Sequence, residues 1–458
     1  MTINELPDEV LIEIFDLYLA CPLPPPSHEE DAWHTLVHMC RRWRYVVFGS
    51  PRRLDLRLLC RNRRLMKTLD IWPELPIVIH VNSQKLPSDN TVISVLKRHD
   101  RVCKIFIDDV SDSLLEELAT ISEPFPALIE LELVSYKADT PTLPDSFLGG
   151  SVPRLRSLDL WGIPFPGIGN LLLTTRDLVT LSLGVIPPSE YLSPESMVTI
   201  LSGLTGLKSL DLNIETAEFW THGASRRPPA LTRVVLPALT NLTFSGDSEY
   251  LEDMVSRIDA SLECIAVTFF DELVFDIPQL RDFIGRTKIL VAPHRAETSF
   301  FSYFDLRISL FQRKGDIDFR VLNLEIICDT DSQLLSPAQA WSLLLPPLPS
   351  MEHLCIYTSA DFPSQWQHEV EITQWMELLR PFITVKVLVL YKQAVSSVSS
   401  ALQELVGERV TEFLPALQNI FLEDFPSSSP VPEGIGEFIA ARELSGHPII
   451  VHRRIKKQ

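Results

Sequence analysis

The chain has 458 residues, 45% hydrophobic and 22% charged, a balance that excludes wholesale disorder and allows a large core. At roughly 100–200 residues per domain, that length holds two to four domains, or a small domain followed by a repeat array. The net charge of −19 argues against nucleic acid as a partner, because such a surface repels phosphate backbones. The basic cluster at the C-terminus, His452 to Lys457, reads as a solvated tail. Proline is frequent (35) and glycine scarce (17), so many loops stop abruptly and few need positive φ. The seven cysteines form no Cys-x-x-Cys pair, which points to a reducing compartment and no zinc site. The early residues Glu5, Asp8 and Glu9 interrupt any apolar leader, and no run is long enough to span a bilayer. A cytoplasmic or nuclear protein with no membrane partner is expected. The sequon Asn241-Leu242-Thr243 carries no weight without a secretory signal.

The first predicted element is a helix over 6–19. Pro7 suits a first helical turn, and Asp8 and Glu9 complement the positive end of the helix dipole. Leu11, Ile14, Phe15 and Tyr18 fall on one face, which Val10 and Leu17 widen beyond what one neighbouring helix needs. One flank is expected inside the chain and the other on a partner. A proline-rich insertion, 19–31, follows. Trp33 to Val47 reads as a second helix, with Leu36, Cys40, Trp43 and Val47 on one face. Arg52, Arg53, Arg57, Arg61, Arg63 and Arg64 alternate with Leu54, Leu56, Leu58 and Leu59. They read as the solvated face of a linking helix, or as a site for an acidic partner.

Leu6, Pro7, Ile14, Phe15, Cys40, Trp43 and Arg44 occur in the order of the F-box pattern, and the first 58 residues resemble that family. The resemblance implies a small all-α module that binds a Skp-type adaptor, and through it a cullin–RING ubiquitin ligase. The adaptor-facing residues it implies are Leu6, Pro7, Val10, Leu11, Ile14, Phe15, Cys40 and Trp43.

After a linker, 59–75, the texture changes. Ile77–Val81 and Val102–Ile107 read as strands flanking a helix that starts at Asp89 or Asn90. A signature Leu-x-x-Leu-x-Leu then recurs. It begins as Leu128/Leu131/Leu133, Leu155/Leu158/Leu160, Leu178/Leu181/Leu183 and Leu207/Leu210/Leu212. Looser copies follow at Leu239/Leu242/Phe244, Leu262/Ile265/Val267 and Val321/Leu324/Ile326, then at Met351/Leu354/Ile356, Val385/Leu388/Leu390 and Leu417/Ile420/Leu422. The last two positions of each copy alternate along a strand and point into a shared core, which one unit cannot bury alone. Helix starts are read at Ser193-Pro194, Ser113–Glu116 and Ser336–Gln339.

This part resembles the leucine-rich-repeat family. The family's asparagine is missing, its places held by Tyr136, Ile163, Ile186, Glu215 and Asp247, and several units exceed the usual roughly 20–29 residues. The resemblance implies an irregular, helix-backed α/β solenoid with a parallel sheet over 76–458. A helix at Ile435–Leu444 and a strand at Ile449–Val451 would cap its end. The alternative is an ordinary α/β domain with leucine-rich buried strands. Arg286–Gly315 receives no element; its aromatics Phe300, Phe301, Tyr303, Phe304 and Phe311 read as core.

No enzymatic constellation emerges. His34 and His38 lack a third ligand, and Gly167/Gly169 and Gly434/Gly436 lack the third glycine of a dinucleotide loop. Asp329-Thr330-Asp331 lacks the rest of a calcium loop. No catalytic residue, metal or cofactor is assigned. The leading reading is a substrate-recognition adaptor of a ubiquitin ligase. The second is a repeat-based binding scaffold whose N-terminal helices cap the array, and the third is an enzyme with a site in the unassigned middle. For a client protein, the outward strand positions give Glu130, Glu132, Asp159, Trp161, Asp211, Tyr357, Tyr391 and Phe421 as candidates. Acidic early and aromatic late, they suit a basic, partly apolar segment. The alternative is that the charges keep the protein soluble and the aromatics pack under loops.

Overall fold

The computed structural model describes residues 3–20, 32–51, 53–60, 74–81, 89–137, 140–185, 192–214, 232–270, 277–287, 289–302, 305–327, 341, 350–358, 372–391, 394–405, 407–425 and 429–454. They form two compact units, 1–191 and 192–458.

The first unit opens with three helices, α1 (Asp8–Ala20), α2 (Ala32–Met39) and α3 (Arg41–Gly49). Pro7 sits just before α1, where its carbonyl accepts the first helical bond from the Leu11 N–H at 3.1 Å. The single helix read over Trp33–Val47 is two. Cys40 is extended (φ −158, ψ 170), which breaks the i→i−4 ladder, and its sulfur accepts the Trp43 N–H at 3.4 Å as the cap of α3. Leu36, Val37, Val46 and Val47 are buried between the helices, and the Phe15 and Trp43 rings lie 4.9 Å apart. The Arg42 guanidinium holds the module closed, donating to Asp8 at 2.7 Å and to the Leu6 carbonyl.

The linking helix is also corrected. Leu54, Leu56, Leu58 and Cys60 are all buried, a period of two, and Leu58–Cys60 is strand β1. The sheet therefore begins at the boundary assigned to the helical module. Two of the interleaved arginines are used locally: Arg57 pairs with Asp55 at 2.7 Å and Arg53 pairs with Glu13, while Arg52, Arg61, Arg63 and Arg64 lie outside the described residues. The insertion at 21–31 and the segment 61–73 lie outside the described residues.

From β1 the chain adds β2 (Ile77–Val81), β3 (Val102–Ile107), β4 (Glu130–Val134), β5 (Ser157–Trp161) and β6 (Thr180–Gly184), each parallel to the one before. The repeated leucines are in register: Leu131, Leu158 and Leu181 form one row, and Leu133, Leu160 and Leu183 the next. All six are buried, while their neighbours on the other face are half-exposed, except Gly184, which is buried. Helices Asp89–Leu96, Asp112–Thr120 and Ile168–Thr174 fill the connections. The second of these is capped by Ser111, whose hydroxyl accepts the Leu114 N–H at 3.2 Å, not by Ser113. Backbone bonds tie successive turns where the ideal repeat has asparagines. Ser135 N–H donates to Trp161 O at 2.8 Å, and Gly162 N–H donates to Gly184 O at 2.9 Å.

The second unit continues the pattern with β7 (Ser209–Ile214), β9 (Asn241–Gly246) and β11 (Cys264–Phe270), and later β15 (His353–Thr358), β16 (Val387–Tyr391), β17 (Asn419–Glu423) and β18 (Ile450–Arg454). Between these runs lie β12 (Arg295–Ser302), β13 (Asp305–Lys314) and β14 (Ile317–Ile327). β14 is parallel to β11 and antiparallel to β13; β13 is antiparallel to β12, which is parallel to β15. The unassigned stretch is thus a pair of sheet strands. Phe300 and Phe311 are both buried, Phe311 on the face where the Arg295 guanidinium lies 4.0 Å from its ring centre. Tyr303, Phe304 and the side chain of Phe301 lie outside the described residues. β8 (Val234–Leu236) and β10 (Ile258–Ala260) form a small parallel sheet of their own.

Ser193 caps the helix Pro194–Ser202 as expected, with Pro194 in its first turn. The helix Glu433–Leu444 and strand β18 end the unit. The readings at Ser336–Gln339 and Asp329–Asp331 fall outside the described residues.

Candidate functional site: two apolar and acidic surfaces

The helical module sorts the adaptor-facing candidates into two groups. Leu11 and Phe15 are buried inside it, Phe15 against Trp43, and do not present to a partner. Their burial anchors α1 by one flank. On the other flank Val10, Ile14, Leu17 and Tyr18 are 38–70% exposed. These four stand at i, i+4, i+7 and i+8 and share one helical face. Pro7 and Cys40 are exposed, whereas Leu6 and Trp43 are half-buried. The Trp43 indole N–H is buried and has no hydrogen-bond acceptor among the described residues. Leu17 and Tyr18 extend the surface beyond the residues that the resemblance implies. Their signal was the width of the apolar face.

On the outer face of the first unit, Phe106, Glu132, Asp159 and Ser182 form one register row across β3 to β6. Asp159 accepts the Ser182 hydroxyl at 2.9 Å. Adjacent strands lie about 4.8 Å apart, so Glu132 and Asp159 are near neighbours. Both carboxyls are raised above their usual values: burial lifts each, and the Asp159 and Asp108 charges lift Glu132 further. Glu130 differs, since Lys104 is 2.5 Å from it. Asp108, His80 and Phe106 belong to this surface and were not assigned, because they precede the first strict copy of the repeat.

A pH dependence follows. In the folded chain these two carboxyls hold protons at pH values where the unfolded chain has lost them. Stability contributed here therefore falls as pH rises from the ordinary carboxylate range through the raised values, and returns as pH is lowered. Glu132→Gln combined with Asp159→Asn is expected to flatten that limb and to raise the unfolding midpoint at pH 7. A lower midpoint at pH 7 in urea titrations would show that the carboxylates are held by compensating contacts.

In the second unit the outward candidates are half-exposed, and several are already engaged. Phe421 stacks on His452 (4.4 Å, 13°) and lies 4.3 Å below the Arg454 guanidinium, so it is no open anchor. The Tyr357 and Tyr391 rings meet edge to face at 5.2 Å. Cys355, two residues before Tyr357 on β15, is buried, and burial pushes its thiol up to about 12. Asp211 is half-buried on the outer side of β7.

Among the described residues no cluster of ligating side chains could hold a metal ion, and no helix is long and apolar enough to cross a membrane. Gly434 has a packing role. A Cβ there would stand 2.3 Å from the Ser399 carbonyl oxygen, so glycine lets helix Glu433–Leu444 approach helix Val395–Gln403.

No family model matches the chain, and no curated protein matches it. Among solved structures it is similar to the leucine-rich repeat-containing protein LegL7 from Legionella pneumophila. The identity is 13%, over 80% of this chain and 96% of that one, with a TM-score of 0.29. A score that low leaves the repeat architecture to rest on this chain's own strands and their register.

Proposed function

We propose that the chain is a substrate-recognition adaptor of a Skp–cullin–F-box type ubiquitin ligase. Its helical module would bind a Skp-type adaptor, and the outer face of its repeat strands would bind a client protein. The observation that carries this reading is the apolar stripe Val10, Ile14, Leu17 and Tyr18, exposed on a helix whose opposite flank is anchored by Leu11 and Phe15. Burying one such side chain contributes about 1.5–3 kcal/mol, enough for a few of them to dominate an interface. Catalysis is not required of this chain, because ubiquitin transfer belongs to other subunits of such a ligase. The same reading puts the protein in the cytoplasm or nucleus.

One observation favours a second reading, a repeat-based scaffold without a ligase role. Leu54, Leu56 and Leu58 run from the helical module straight into β1, as they would if the helices served only to cap the sheet. Affinity capture from cells separates the two. With Ile14→Glu and Leu17→Glu on α1, the ligase reading expects the adaptor and cullin to be lost while other partners are retained. If the wild-type chain captures neither adaptor nor cullin, the scaffold reading stands.

A further inference from the structure

The outer face of β3 to β6 carries charge that no lysine or arginine neutralises among the described residues. Glu132 and Asp159 stand side by side in register, and Asp108 lies at the end of β3 beside Glu132. Among the described residues no lysine or arginine pairs with any of the three. Lys104 is taken by Glu130, and Lys137 by Asp112 at 2.8 Å. Asp108 accepts the Tyr136 hydroxyl at 3.3 Å. Aromatic rings flank these carboxylates. Phe106 is the register partner of Glu132 on one side, and Trp161 follows Asp159 on the same face of β5. The Trp161 indole is laid across Gly184, where a Cβ would stand 2.2 Å from the ring, so glycine is what admits it.

This combination selects its occupant. An apolar segment would bury the carboxylates without a counter-charge, and an anionic one would be repelled. A guanidinium or ammonium group gains an ion pair with the carboxylates and a place over a flat ring at once. It also offsets the Asp159 and Asp108 charges that, after burial, lift the Glu132 carboxyl.

We propose that this sheet face of the first unit docks an extended, arginine- or lysine-bearing segment of the client protein, a basic side chain entering between Glu132, Asp159 and Trp161. The proposal rests on the reading of the outer sheet face as the client-binding surface, and it names the chemistry of the client there. The chain's net charge of −19 adds long-range attraction for such a segment, so association slows as salt is raised.

The test uses the full chain and three short fluorescein-labelled peptides that alternate leucine with arginine, citrulline or glutamate, followed by fluorescence anisotropy. The arginine peptide is expected to bind, and the citrulline and glutamate peptides to bind at least about tenfold more weakly. Glu132→Gln with Asp159→Asn is expected to lose the arginine peptide by a similar factor while the unfolding midpoint does not fall. That pairing of lost binding with retained stability is one that a purely structural role would not give. Trp161→Leu, which keeps apolar cover over Gly184, is the second variant and should weaken the same peptide. The inference is overturned if the arginine peptide does not bind wild type, if citrulline serves as well, or if both variants bind like wild type. Adaptor capture on the same samples keeps the two proposals apart. If the adaptor binds and client capture is lost only with Tyr391→Ala, this inference fails while the ligase reading survives.

Discussion

Replacing Leu158 or Leu210 by aspartate is expected to abolish cooperative folding of the unit that contains it. Serine at the adjacent Asp159 or Asp211 should change stability by no more than about 0.5 kcal/mol. Both leucines are fully buried, on strands whose neighbours are half-exposed. Truncating such a leucine to alanine already costs about 2–5 kcal/mol. A carboxylate in its place adds the cost of an unpaired buried charge. The sum is comparable with the roughly 5–15 kcal/mol that holds a native protein together. At Asp159 the sign is opposite, since burial already disfavours its charged form and a neutral side chain relieves that. Urea unfolding of the four variants measures the contrast. Equal sensitivity at inward and outward positions would mean that the strand faces are assigned the wrong way round.

The second large effect is expected at Arg442 in the C-terminal helix. It is 1% exposed, and among the described residues it has no carboxylate partner. Instead the guanidinium donates to the carbonyls of Val410, Pro415 and Leu417 at 3.4, 3.1 and 3.1 Å. These carbonyls belong to the connection that leads into β17, so one arginine ties the closing helix to the last repeat. Burial pushes the Arg442 pKa down, but the charge persists, and hydrogen bonds from a charged donor contribute about 1.5–3 kcal/mol. Arg442→Ala leaves a cavity and three unsatisfied carbonyls and is expected to cost about 3 kcal/mol or more. Arg442→Met keeps the stem and should cost less than alanine, yet more than nothing. Denaturant midpoints, with hydrogen exchange across β17 and β18, check both. A methionine variant as stable as wild type would show that water serves those carbonyls equally well.

These residues also show what the amino-acid order makes legible. The leucine signature identified β4, β5, β6, β7 and their later counterparts because period-two burial leaves a visible trace in a strand with one buried face. β12 escaped because its inward side holds Ala296, Thr298 and Phe300 rather than leucines. Thr298 is tolerated there because its hydroxyl accepts the Trp341 indole N–H at 3.3 Å. β1 is hidden because the arginines around Leu54, Leu56 and Leu58 resemble a solvated helix, while Asp55 and Glu13 pair with Arg57 and Arg53. On α1 the width of the apolar face was legible, but which flank turns inward depends on where Trp43 sits. Nothing in the sequence around Arg442 announces the three carbonyls that the fold brings to it. The Glu132–Asp159 pairing needs the β4–β5 register, which spacing alone implies only once the repeats are aligned.

The central claim is that α1 offers its exposed flank to a Skp-type adaptor. The most direct measurement is a binding titration of the purified full chain against purified adaptor, wild type beside Ile14→Glu with Leu17→Glu. Both positions are exposed, so the variant should keep its fold and its unfolding midpoint. The prediction is a saturable complex for wild type and a loss of at least about a hundredfold for the variant, the scale of two apolar anchors replaced by charge. No complex with wild type, or equal affinity for both chains, would contradict it.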